Sequence, residues 1–242
     1  MTSPVLPLDR VTLHPVSATL AVDVEAVAAP DAADPDLRAR IDAVWDAEKA
    51  TRGERLFDGP VFHLAGVTPE RLTLWPRSYR HYLASRRDPA LAAALGLRFV
   101  GVTGLVTCEG AVVLGRRADY LAADPGLWEP APSGGLHRPD PAGVLLEELR
   151  EELGLEPDMV HTPEPFALAL DGHTGIVDIC FRVPARLSIE ALLARHRDHG
   201  TDEYAEVRAV PLPDLPAFVA THAGRMIEPL PEILRAAGLL SA

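Results

Sequence analysis

Residues 99–155 constrain the fold more than any other stretch of the chain. Phe99-Val-Gly-Val-Thr-Gly-Leu-Val-Thr-Cys108 is an apolar run with strand propensity, Glu109-Gly110 is a turn dipeptide, and Ala111-Val-Val-Leu-Gly-Arg-Arg117 returns as its hairpin partner. Leu127-Trp-Glu-Pro130 then leads into a loop, Pro132-Ser-Gly-Gly135, and into a helix from about 142 to 153 that Gly154 stops. At about 100° per residue, Leu145, Leu146, Leu149 and Leu153 form one apolar stripe. Glu147, Glu148, Glu151 and Glu152 fall on the opposite arc. A hairpin followed by a helix with one apolar stripe calls for helix packed on sheet.

The flanking sequence extends this pattern. Downstream, it predicts a strand at 175–183, a helix at 188–196, a strand at 206–210 and a last helix at 228–237. Upstream, Arg10–His14 and Ala18–Val24 read as strands, 29–35 as a Pro/Asp/Ala-rich loop, and the segment from Asp36 through Lys49 as a helix. Short strands are expected at Leu56-Phe57 and Val61–Leu64 and a further one at Arg71–Trp75, followed by a helix carrying Tyr79, Tyr82 and Leu83. Strands alternating with helices predict an α/β (α+β) fold, a mixed sheet covered by helices. Two regions follow: an α/β extension over 1–95 and a main domain over 96–242.

Composition narrows the function. The 242 residues are 48% hydrophobic, enough to bury a sizeable core, and the formal net charge is −12. The cations are almost all arginine, with Lys49 the sole lysine. An acidic chain is ill suited to a nucleic acid polymer, whose binding depends on neutralising many phosphates. A few arginines can still grip one small phosphate ester. Cys108 and Cys180 lack a CxxC spacing and read as core residues in a reducing compartment. The opening Met1-Thr-Ser-Pro-Val-Leu-Pro7 lacks the pattern of a signal peptide, and no run has the apolar length of a membrane span. The expectation is a soluble cytoplasmic protein, monomer or homodimer, without membrane contact.

The four glutamates carry the chemistry. Like charges one turn apart, such as Glu148 and Glu152, destabilise an exposed helix by roughly 0.2–0.5 kcal/mol each, and Arg150 is the sole cation among them. A hard divalent cation would turn that repulsion into coordination. Taken alone, LLEELREELGL equally describes a solvated helix face; the Gly-Gly loop before it and the glycine stop after it favour a site.

This order resembles the Nudix box, G-x5-E-x7-R-E-U-x-E-E-x-G-U with U aliphatic. Glu148-Leu149-Arg150-Glu151-Glu152-Leu153-Gly154-Leu155 matches its E-U-x-E-E-x-G-U end, and Gly134 matches the leading glycine. Asp140 stands where the first glutamate would be, Glu147 replaces the family's arginine, and the connector is one residue short. Arg150 or Arg138 would have to brace the box in place of that arginine. The resemblance spans about 98–220. It implies a Nudix-type mixed sheet sandwiched between helices. It also implies Glu148, Glu151 and Glu152 as ligands of Mg²⁺ or Mn²⁺, and hydrolysis of a small nucleoside diphosphate linked to another group X. The metal would acidify a water and neutralise the leaving phosphate.

The extension resembles that of Nudix proteins acting on UDP-glucose and UDP-galactose, through Arg55-Leu-Phe-Asp-Gly-Pro60, Val61–Leu64 and Ser78-Tyr-Arg-His-Tyr-Leu83. That likeness implies a UDP-sugar split to UMP and sugar 1-phosphate, with Phe57, Asp58 and Tyr79 around the base. Phe57 and Tyr79 equally fit core positions. One of Arg116 and Arg117 is expected to clamp the pyrophosphate, with Gly134 and Gly135 beside it. Asp171, His173, Asp178, Asp202 and Glu203 are the candidates for a general base, and Glu203, just before the last strand, is preferred. Two other readings stand: a non-catalytic Nudix-type nucleotide sensor, which the missing arginine would suit, and a partner-binding protein, which would leave the acid cluster unexplained.

Overall fold

The computed structural model describes residues 11–121 and 123–241. Arg10, the expected start of the first strand, and the opening heptapeptide lie outside them. The elements run β1 (Thr12–Pro15), β2 (Ala21–Val24), α1 (Pro35–Arg52), β3 (Pro60–Thr68), β4 (Arg71–Ser78), α2 (Tyr79–Arg87), α3 (Pro89–Leu95), β5 (Phe99–Cys108), β6 (Ala111–Arg117), β7 (Trp128–Pro130) and β8 (Ser133–Gly135). Then follow α4 (Pro141–Leu153), β9 (Glu164–Leu170), β10 (Ile176–Pro184), α5 (Ile189–His199), β11 (Tyr204–Pro211), α6 (Leu215–Thr221) and α7 (Leu230–Ala236).

All of these strands join one mixed, curled sheet. Its main path is β1-β9-β10-β5-β3-β4-β2, with β8 paired to β5 and with β6 joining β5, β7 and β11. The β10–β5 and β2–β4 pairs are parallel and the others antiparallel. Glu109 and Gly110 both take positive φ (46° and 75°), the backbone that a tight β5–β6 hairpin requires.

The central strand β5 shows why helices cover both faces. Nine of its ten residues are buried, as expected of a strand with no solvent side. Val100, Val102 and Val106 meet α4 and α5 through Val144, Leu145, Leu149, Leu153 and Leu192. Leu105 points the other way, into a second core built with Leu215, Phe218, Leu230, Ile233 and Leu234 of α6 and α7. A third small core under the extension joins Leu37 and Ile41 of α1 to Ala84, Leu91 and Leu95. No helix among the described residues is long and apolar enough to cross a membrane, and Cys108 and Cys180 are free and buried.

The structure corrects several expected elements. Leu56-Phe57 is loop; Leu56 ends a short 3-10 turn, and the strand starts only at Pro60. Ser133–Gly135, read as loop, pairs in register with Gly101–Thr103. The sequence reading does not include the helix α3 or the strand β9: α3 is a seven-residue helix capped by Asp88, whose side chain accepts from Ala90 and Leu91 N–H, and β9 is the short apolar run Glu164–Leu170.

Candidate functional site

The helix α4 delivers the acid cluster, and its start is fixed locally. Asp140 is the N-cap: its side chain accepts from Gly143 N–H at 3.1 Å, and Pro141 occupies the first turn. Asp140 is therefore spent on the helix end. Gly154, at φ 67°, closes the other end. Of the expected stripe, Leu145, Leu149 and Leu153 are buried and Leu146 is half-buried, and of the glutamates Glu148 and Glu152 meet β8 and β11.

The glutamates have diverged into distinct environments. Glu147 is held by Arg138 and by His137 at 3.2 Å, so Arg138 does the bracing and the pair holds Glu147 below the usual carboxylate range. Arg150 lies 3.7 Å from Glu151, and both are exposed. Glu152 is 3% exposed; one carboxylate oxygen accepts from Ser133 N–H at 3.1 Å and Tyr204 O–H at 2.8 Å. Glu148 has no hydrogen-bond or ion-pair partner among the described residues. Its carboxylate packs on the bare backbone of Gly134, where a Cβ would lie 2.0 Å from its Oε1. Only glycine allows that approach.

These acids press on one another. Burial raises Glu148 to about 7, with Glu151, Glu203 and Glu147 adding to the effect. Burial also raises Glu152 well above the usual range, helped by Glu129 and Glu148. Glu129, buried on β7, rises to about 7 through the same desolvation, although Arg117 bonds it at 2.7 Å and pulls the other way. Carboxyl groups so placed are short of positive charge.

The donor set, all hard carboxylate oxygen, fits a divalent cation in kind. Among the described residues no three such side chains already surround one point at metal-ligand geometry. Both bonds to Glu152 fall on Oε2, which leaves Oε1 to an ion, and Glu151 would have to swing inward to join it.

Next to the cluster lies a cavity of about 320 Å³, floored by Gly101, Gly134 and Gly135 and walled by Tyr79, Tyr82 and Phe99. Of the two expected arginines, Arg117 lines it, while Arg116 lies 3.7 Å from Glu206 and 3.8 Å from Asp119 and does not. A second hollow of about 340 Å³ adjoins it, sharing Val61, Tyr79 and Gly135 and adding Leu56, Phe57 and His137. Phe57 is 74% exposed at its rim, so its ring is no core residue. Asp58 is engaged instead with Arg80, from its N–H and its guanidinium at 3.0 Å.

The candidate bases separate clearly. Asp171 caps its own turn through His173 N–H, Thr174 N–H and the Thr174 hydroxyl, and His173 is exposed. Asp202 is exposed, its carbonyl accepting from Tyr120. Glu203 is close enough to act electrostatically on Glu148 and Glu152. Asp178 reaches the cavity from the middle of β10. Glu129, Ser133 and Tyr204 escaped the sequence reading; the signal for Glu129 was its place between Trp128 and Pro130 in a strand whose every residue turns out to be buried.

No family model matches the chain, and no curated protein matches it. Among solved structures it is similar to a Deinococcus radiodurans protein, at 17% identity and TM-score 0.43 over 56% of this chain and 80% of that one. It is similar to a MutT protein from Methanosarcina mazei at 18% identity and TM-score 0.38, covering 58% and 91% of the two chains. A Nudix hydrolase from M. smegmatis gives 20% identity and TM-score 0.38, covering 59% and 86%. Likenesses at these TM-scores carry no weight about chemistry.

Proposed function

We propose that this chain is a Nudix-type hydrolase that splits the pyrophosphate bond of a nucleoside diphosphate linked to a sugar, with a UDP-sugar giving UMP and sugar 1-phosphate as the specific reading. The observation that carries it is Glu148: a carboxylate without partner, near Glu151, Glu152 and Glu203, packed on the bare backbone of Gly134, and Gly134 in turn lines a ligand-sized cavity. Glu148, Glu151 and Glu152 would hold Mg²⁺ or Mn²⁺, which when bound would supply positive charge for the phosphates and acidify a water. Glu203 would serve as the base that accepts a proton from the attacking water. Arg117, already ordered by Glu129, presents its remaining donors to the phosphate, and the Gly134-Gly135 backbone lets the phosphate approach closely. The extension, residues 1–95, contributes Phe57 and Tyr79 to hold the base, while residues 96–242 hold the reacting bond. The protein works in the cytoplasm as a monomer or homodimer.

One observation favours the sensor reading: Glu152 Oε2 is committed to both Ser133 and Tyr204. A sensor would bind UDP-sugars without turnover. Incubation with a panel of nucleotide sugars and Mg²⁺ or Mn²⁺ separates the two. The proposal expects nucleoside monophosphate to form and EDTA to stop it; binding without product would establish the sensor.

A further inference from the structure

The cavity beside the acid cluster is lined by Asp124, Glu129, Asp171 and Asp178, with Arg117 the one cation among its described lining residues. Three of these acids have evident employment. Glu129 bonds Arg117, Asp124 stands near enough to act on Arg117, and Asp171 caps its own turn. Asp178 has none: no hydrogen bond or ion pair to its carboxyl group occurs among the described residues. It sits in the middle of β10, one strand from Gly101, and its Oδ1 lies 2.3 Å from where a Cβ on Gly101 would be. The missing side chain at Gly101 leaves that carboxyl group room to face the cavity.

A half-buried, unpartnered acid beside Glu129 and Asp171 calls for a donor from the cavity side. Phosphate suits Arg117 on the same lining but is the wrong partner for Asp178, since two anions repel. The facing walls narrow the choice: Tyr82 meets Phe99 edge-on at 5.2 Å, and Tyr79 lies 5.3 Å from Tyr82. Aromatic rings lining the same cavity as a carboxyl group complement a ring with C–H faces and hydroxyl edges.

We propose that this cavity receives the uncharged, polyhydroxylated X group of the substrate, and that Asp178 determines specificity by accepting hydrogen bonds from its hydroxyls. The inference rests on the reading of the chain as a nucleotide-sugar hydrolase. It divides the ligand: base toward Phe57 in the adjoining hollow, sugar over Gly101 toward Asp178.

The test compares wild type, Asp178→Asn and Asp178→Ala on UDP-glucose and on the methyl ester of UDP, which lacks the sugar ring. The ratio of kcat/KM for UDP-glucose to that for the methyl ester falls about 10- to 100-fold in Asp178→Ala, carried by KM, and by less in Asp178→Asn. Saturation-transfer NMR on UDP-glucose shows sugar protons contacted in wild type and released in Asp178→Ala, with the uracil protons still contacted. Thermal melts of both variants rise, because an acid short of partners is removed. An unchanged ratio overturns the inference and leaves the hydrolase reading standing. Tighter use of UDP-glucosamine than UDP-glucose by wild type, lost in Asp178→Ala, also overturns it, since the cavity would then select charge. If wild type neither turns over nor binds any nucleotide sugar, the hydrolase reading fails and the inference with it.

Discussion

Substituting Gly134 by alanine separates the site from the fold. A Cβ at Gly134 would stand 2.0 Å from Glu148 Oε1 and 2.2 Å from its Cδ, against about 3.4 Å for ordinary contact. The carboxylate must therefore retreat by roughly 1.4 Å, a distance that from the positioning of reacting groups is worth about 100-fold in rate. Stability should respond little, because the displacement, Glu148 Cγ at 2.8 Å included, falls on one side chain and Gly134 is not among the residues with positive φ. A loss of up to about 1 kcal/mol lowers Tm by roughly 2–4 °C in a chain of this size. Calorimetry and steady-state turnover of UDP-glucose with Mg²⁺ measure both effects on one preparation. Full activity in a folded Gly134→Ala protein would show that the Glu148 position is immaterial to chemistry. A fall in Tm beyond 10 °C would refute the claim that the displacement is cheap.

Three further outcomes are expected. Glu129, Glu148 and Asp178 are raised to about 7 by burial, so their contribution to stability is complete below the unfolded carboxylate pKa near 4 and is lost as pH rises through about 7. The metal-free protein should melt lower at pH 8 than at pH 5.5, with Mg²⁺ reversing the trend; a melting temperature that climbs over this range without metal contradicts it. Phe57→Ala should raise KM for the preferred nucleotide sugar about tenfold, with Tm preserved because the ring is 74% exposed; unchanged KM and base preference would make the extension purely structural. Arg138→Gln leaves Glu147 facing Glu148 and Glu151 without its cation, and should weaken Mg²⁺ stimulation in a calorimetric titration; identical metal binding would show that the brace is dispensable.

Residues 99–155 were legible where periodicity is strong. Leu145, Leu149 and Leu153 announced both the helix and its buried face, and the Glu109-Gly110 turn announced the hairpin. What stayed hidden depends on long-range pairing. Tyr204 reaches Glu152 across 52 residues, and Glu129 joins the acid cluster because β7 pairs with β6 beside β11; no local pattern encodes either contact. Likewise Arg116 and Arg117 are indistinguishable in sequence, but strand alternation sends Arg117 to Glu129 and the cavity and Arg116 toward Glu206. The short helix α3 depends on the Asp88 cap and on the extension's small core, and its seven residues span too few turns for a periodic signal.

The central claim is that Glu148 and Glu152 serve pyrophosphate hydrolysis. Phosphorus NMR of UDP-glucose incubated with Mg²⁺ and wild type, Glu148→Gln or Glu152→Gln tests it in one experiment. The account predicts UMP and glucose 1-phosphate from wild type and at least about a 100-fold slower conversion by each variant, with both still folded. Undiminished conversion by both variants, or no conversion by wild type, would contradict it.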